Sequence, residues 1–172
     1  MSLEQFKTRV LPVKDKLYRF ALRFLKNEDD ARDVVQEVLI KVWNKRADMD
    51  QLENMEAWCM RITRNVSLDR LKSRHSKYTD PIKEGFDISS GESETPYRTA
   101  EMSDMMKNIG SFIEALPEKQ RQIIQLRDVE GYSYKEISDI LDIDMNQVKV
   151  NLFRARKAVK ESLLNINAYG LG

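Results

Sequence analysis

Through most of the chain, apolar residues return every three or four positions, with charged or amide side chains between them. The clearest run is Ala31, Val34, Val35, Val38, Leu39, Val42 and Trp43, at i, i+3, i+4, i+7, i+8, i+11 and i+12. That spacing predicts an amphipathic helix over about 30–43, capped by Asp29 or Asp30. Asn27-Glu28-Asp29 turns the chain back from a preceding helix whose inner face is Leu17, Phe20, Ala21, Phe24 and Leu25, with Pro12 allowing an earlier bend. A third helix, about 54–74, is expected to bury Trp58, Cys59, Ile62 and Val66, and both Trp43 and Trp58 read as core packing. From His75 to about Thr99 the periodicity stops. Pro81, Gly85, Ser89, Ser90, Gly91, Ser93 and Pro96 are interspersed with acids, which predicts a linker without a core.

Helical spacing resumes with Ile109, Phe112, Ile113 and Leu116. Pro117 at the first helical position and Glu118 after it open another helix, which carries Ile123, Ile124, Leu126 and Val129 inward and stops at Gly131. No useful stretch of β-type alternation occurs. The expected fold is all-α, two small helical domains joined by a flexible linker: 1–76, linker 77–101, a four-helix domain with a helix-turn-helix over 102–165, and a tail over 166–172.

The stretch 131–161 is the most informative. Ser133 and Glu136 form a Ser-x-x-Glu capping box, and Tyr134, Ile137 and Leu141 give the short helix an inner face. In the turn that follows, Asp142 tolerates a left-handed backbone, Ile143 plugs the core, and Asp144 caps the next helix with Gln147 three residues on. That helix buries Val148, Leu152, Ala155 and Val159 and turns Asn146, Lys149, Val150, Phe153, Arg154 and Lys157 outward. Cations for phosphates, planar donors for base edges and an apolar contact for thymine methyls are what a helix in the major groove needs. The plainer reading is a solvated basic face, which the pair of capping boxes around a short turn makes less economical.

Two other polar faces have chemistry to offer. Asp33, Gln36, Glu37 and Ile40 share the outer side of the 30–43 helix, either a docking stripe for a basic partner helix or an ordinary wet face. Arg61, Arg64, Asn65, Lys72 and Arg74 line the outer side of the third helix, where they can track a phosphate backbone and read an exposed base, or simply be solvated.

Composition narrows the classes. The 172 residues carry 29 Lys+Arg against 28 Asp+Glu, net +1, so nucleic-acid binding must come from segregated charge. One Cys excludes an internal disulfide, and one His leaves no zinc cluster. No metal or cofactor is expected. Neither a glycine-rich phosphate loop nor a nucleophile–base pair is visible, and no enzymatic activity is expected. No apolar run spans a bilayer and no signal-peptide core opens the chain, so membrane insertion is not expected and the protein is expected in the cytoplasm.

Taken together these pieces resemble the extracytoplasmic-function (ECF) sigma factors of bacterial RNA polymerase, compact members of the sigma-70 family. Asp30-Ala31-Arg32-Asp33-Val34-Val35-Gln36-Glu37-Val38 with Lys41-Val42-Trp43 is similar to the family's polymerase-binding helix. Ala57-Trp58, Arg61-Ile62, Arg64-Asn65 and Leu68-Asp69 resemble its promoter-melting segment. Leu116-Pro117-Glu118-Lys119-Gln120-Arg121, Glu130-Gly131-Tyr132-Ser133-Tyr134-Lys135-Glu136-Ile137, Val148-Lys149 and Leu152-Phe153-Arg154-Ala155-Arg156-Lys157-Ala158 resemble its second DNA-binding domain. The family usually carries Gly where Asp142 stands.

The resemblance implies that Asp33, Gln36, Glu37 and Ile40 face core RNA polymerase. It further implies that Arg61, Arg64, Asn65 and Lys72 serve the minus-ten element, with Asn65 near a flipped base. Asn146, Lys149, Val150, Phe153, Arg154 and Lys157 would serve the minus-thirty-five element. It also implies linker acids that mimic nucleic acid in the polymerase channel, an anti-sigma protein as partner, and a chain that is monomeric when free. A stand-alone operator-binding regulator is the alternative and requires a dimer interface and tight binding without polymerase. A helical adaptor would show no dependence on nucleic acid.

Overall fold

A computed structural model describes residues 1–77 and 100–168; most of the expected linker, its acids included, and the end of the tail lie outside the described residues. All regular structure among the described residues is helical. Residue contacts group the chain into two units. The first holds the helices up to residue 77 together with 135–143; the second holds the rest of the described C-terminal part.

In the first unit, α1 (Leu3–Arg9) leads through a single 3-10 turn at Leu11–Val13, with Pro12 in it, into α2 (Lys14–Leu25). Lys26 ends α2 in the left-handed region at φ 51°, and Asn27 accepts the Asp30 N–H at 3.0 Å to start α3 (Glu28–Asn44). The cap is therefore Asn27 and neither Asp29 nor Asp30, because the reversal completes one residue earlier than the acid run suggests. A 3-10 turn at Met49–Gln51 precedes α4 (Met55–Lys77), whose first turn is capped by Asn54 accepting the Ala57 N–H at 2.9 Å.

The helices α2, α3 and α4 pack on one another. Leu17, Phe20, Ala21 and Leu25 of α2 meet a ladder of Ala31, Val34, Val35, Val38 and Val42 from α3. Each of the larger residues contributes about 1.5–3 kcal/mol by leaving water. Leu39 and Trp43 are only half-buried, as is Phe24, which meets Phe20 edge to face. On α4 the buried face is Met55, Ala57, Cys59, Met60, Thr63, Val66 and Ser67. Trp58 and Ile62, expected inside, are half-buried. The reason is angular: α4 has neighbours on two sides, so its inner stripe centres on Cys59, Thr63 and Val66 and leaves Trp58 and Ile62 on its margin. Thr63 fits there because its hydroxyl donates to the Cys59 carbonyl at 2.9 Å.

In the second unit, α5 (Ala100–Glu114) buries Ile113, with Ile109 and Phe112 half-buried; Leu116, also buried, follows the helix. Pro117 is the N-cap of α6 (Glu118–Ile124) and so stands one position before the expected one. A π turn, Gln125–Val129, follows directly, closed by the Glu130 N–H donating to the Gln125 carbonyl five residues back at 3.0 Å. The wider turn overturns one expectation. It buries Gln125 and Leu126 and swings Val129 outward to 53% exposure. Gly131 then takes φ +82°, and the Tyr132 N–H reaches back to the Leu126 carbonyl at 2.9 Å.

Helix α7 (Tyr134–Leu141) buries Ile137, Ile140 and Leu141, with Tyr134 half-buried; Ser133 stands at its N-cap position. Asp142 is left-handed at φ 55°, and the Ile143 N–H donates to the Ser138 carbonyl at 3.2 Å, closing the helix end. Asp144 accepts the Gln147 N–H at 2.8 Å to start α8 (Met145–Ala168). Val148, Leu152 and Ala155 are buried, Val159 half-buried, and α8 packs on α5 and α6.

Candidate polymerase and promoter surfaces

The outer face of α3 carries the acidic stripe. Asp33 and Gln36 are exposed, Glu37 is half-buried, and Ile40 is 60% exposed although it sits on a helix whose inner side is sealed. A single exposed aliphatic residue is ordinary on a protein surface, so Ile40 gains meaning only from the acids and amide around it. Both acids already have internal cations: Glu37 pairs with Lys41 one turn along at 3.1 Å, and Asp33 with Arg70 of α4 at 3.6 Å.

Asp30, on the same helix, plays a part that the sequence does not reveal. Its carboxylate takes Arg70 Nη1 at 3.5 Å on one oxygen and Arg74 on the other. Arg74, expected to point away from the core, is thus tied to α3. Nothing in the local pattern signals this, because the partners lie on different helices.

Along α4, Arg61, Asn65 and Lys72 are exposed and Arg64 half-buried, its Nε without a partner among the described residues. Arg61 lies 3.6 Å from Asp142, and Asn54 donates to Glu136 at 3.0 Å, both contacts falling within the first unit. The face has cations and an amide, and the exposed His75 ring stands one turn beyond Lys72. The N-terminal end of α4 is held from α2 by Lys16, which meets Glu56 in the first turn at 2.6 Å.

On α8 the outward face is complete: Asn146, Lys149, Val150, Phe153, Arg154 and Lys157 are all exposed. Phe153, at 69% exposure, is the most exposed of the large apolar residues described. Lys157 reaches Glu161 only at 4.0 Å, a contact too open to neutralise it. The helix is pinned along the flank of this face, one turn on from Phe153, by Arg156, whose Nε and Nη2 grip Asp128 at 2.9 and 2.6 Å. The Asp128 carboxylate raises the Arg156 pKa above its ordinary value, the hydrogen bond being the largest cause. Arg127, from the same π turn, donates to the Tyr132 carbonyl at 2.8 Å and lies over the Tyr134 ring at 4.9 Å. The π turn thus supplies both an anchor for α8 and a brace for the start of α7, two roles that sequence reasoning missed because they depend on the extra residue in the turn.

Two family models match the chain, Sigma-70 region 2 over residues 10–77 and Sigma-70 region 4 over 106–159. The ECF RNA polymerase sigma-E factor of Escherichia coli strain K12 is 31% identical over 137 residues, covering 76% of this chain and 72% of that protein. The ECF RNA polymerase sigma factor SigW of Bacillus subtilis is 28% identical, covering 89% and 86%. The ECF sigma factor SigE of Mycolicibacterium smegmatis is 30% identical over 87% of this chain, which spans only 58% of that relative. Among solved structures, the sigma factor RpoE of Bartonella quintana, in complex with the anti-sigma factor NepR, matches with TM-score 0.75 at 27% identity, covering 94% of this chain and 98% of that one. With region 2 on the helices that carry the acidic stripe and region 4 on the helix-turn-helix, this chain belongs to the ECF sigma factors of the sigma-70 family.

Proposed function

We propose that the protein binds core RNA polymerase through the α3 stripe and directs it to promoters, reading the minus-ten element from α4 and the minus-thirty-five element from α8. The carrying observation is the exposed set on α8, where cations, an amide and the open ring of Phe153 stand on a helix fixed along its flank by the Arg156–Asp128 fork. A ring left in water beside cations suits contact with thymine methyls and phosphates. On α3, exposed Ile40 among Asp33, Gln36 and Glu37 supports docking onto a cationic helix. The protein would act in the cytoplasm by binding alone, with no chemistry of its own. An anti-sigma protein would hold it inactive, as NepR is held against its relative.

Run-off transcription tests this reading: core polymerase with a genomic promoter library should initiate at a defined set of sites only when this protein is added. Tight gel-shift of an operator by the protein alone, with no polymerase dependence, would instead support the stand-alone regulator.

A further inference from the structure

We propose that Arg70 is an internal competitor for the polymerase, shared between two carboxylates of which one docks and the other does not. This rests on the docking reading of Asp33. One Nη of Arg70 lies 3.5 Å from Asp30 and 3.6 Å from Asp33, so neither acid owns it. The two acids differ in access. Asp33 has 59% of its side chain exposed; Asp30 has 22% and is also tied to Arg74. Polymerase can therefore reach Asp33 but not readily Asp30.

When a cationic surface of the polymerase takes Asp33, Arg70 is left to Asp30, where it helps tie α4 to α3. The tie matters because no side chain of α4 beyond Ser67 is buried, so the stretch carrying Lys72 is held to α3 by Arg70 and Arg74. Docking is thus opposed by one weak, partly solvated ion pair and rewarded by a firmer α4. Loss of the Arg70 cation from α4 should strengthen polymerase binding, and loss of the Asp30 acid, outside the docking stripe, should weaken it.

The test is a double-mutant cycle on the full chain, reading its Kd for core polymerase at low salt. Arg70→Gln should tighten binding about two- to fivefold, the range expected for releasing an exposed pair. Asp30→Asn should loosen it by a similar factor, because Arg70 then falls wholly to Asp33, and should have no effect in the Arg70→Gln background. Arg74→Gln, whose residue reaches Asp30 alone, should leave the Kd within twofold. Circular dichroism confirms that each variant is folded; should Arg70→Gln unfold, Arg70→Met, which removes the charge but keeps an unbranched helix-forming side chain, replaces it with the same sign expected. Equal affinity for wild type, Arg70→Gln and Asp30→Asn would overturn the proposal while Asp33→Asn still weakened binding. If Asp33→Asn also changed nothing, the docking reading itself would fall.

Discussion

Lys149 and Arg154 stand exposed on α8, and neither has an internal carboxylate within ion-pairing distance among the described residues. Asp33 and Glu37 hold internal cations, whereas Lys149 and Arg154 have no pair to break, so on the proposed reading their whole interaction is available to the promoter. Replacing either by Ala should cost promoter binding by the holoenzyme roughly 1–3 kcal/mol if it reads a base. A phosphate contact would instead weaken all promoters alike and lower the salt slope. Competition gel-shifts over a set of single-base promoter variants separate the two. Cys59 makes the opposite case, a reactive group put out of use. Burial, with the Glu56 charge adding to it, pushes its thiol from 9.0 up to about 12. The thiol should resist alkylation at pH 8 in the folded protein and react on unfolding. The sign for stability follows: a folded pKa above the unfolded one favours the fold below pH 9, and that advantage is lost between about pH 9 and 12. Its slope is about 1.4 kcal/mol per pH unit. Cys59→Ala should flatten that part of a urea-melt pH profile.

At the scale of elements, Gly131 and Asp142, two of the three described left-handed residues, set where helices of the C-terminal part end. Gly131 has open space where a Cβ would sit, so Gly131→Ala pays only backbone strain, about 1–2 kcal/mol. Asp142, at φ 55°, holds a backbone conformation that glycine adopts without a Cβ penalty. Asp142→Ala should cost about 1 kcal/mol by thermal unfolding, whereas Asp142→Gly should change stability by only a few tenths, losing the open pair with Arg61 but relieving the turn. These turn residues were legible in the sequence because left-handed backbone restricts residue type locally. The inner faces of α2, α3 and α8 were largely legible too, because helical periodicity is local. Trp58 and Val129 were not. Trp58 depends on which neighbours α4 meets, and Val129 on a π turn whose extra residue no apolar spacing announces. The outward residues of α3 and α8 could be named from spacing; the shared Arg70 could not, since it joins two different helices whose pairing no local periodicity reports.

For the molecule as a whole, a net charge of +1 means that neither polymerase nor DNA is attracted by a global field. On the proposed reading, recruitment comes from charge sorted onto separate helices, acids on α3 and cations on α4 and α8. Each contact alone is weak, and binding to polymerase raises the effective concentration of the DNA-reading surfaces at the promoter. That division predicts that the two activities can be broken one at a time. Asp33→Lys with Glu37→Lys reverses the charge of the docking stripe while leaving the sealed face of α3 untouched. The losses within the protein are the exposed pairs to Arg70 and Lys41, together no more than about 1 kcal/mol. Helicity by circular dichroism should therefore be unchanged, and capture of core polymerase should be lost. The weak, salt-sensitive DNA binding of the free chain should persist or rise slightly, because two acids have become two cations. Polymerase capture that survived the double change would move the docking surface off α3, and with it the reason for Ile40 to stand in water.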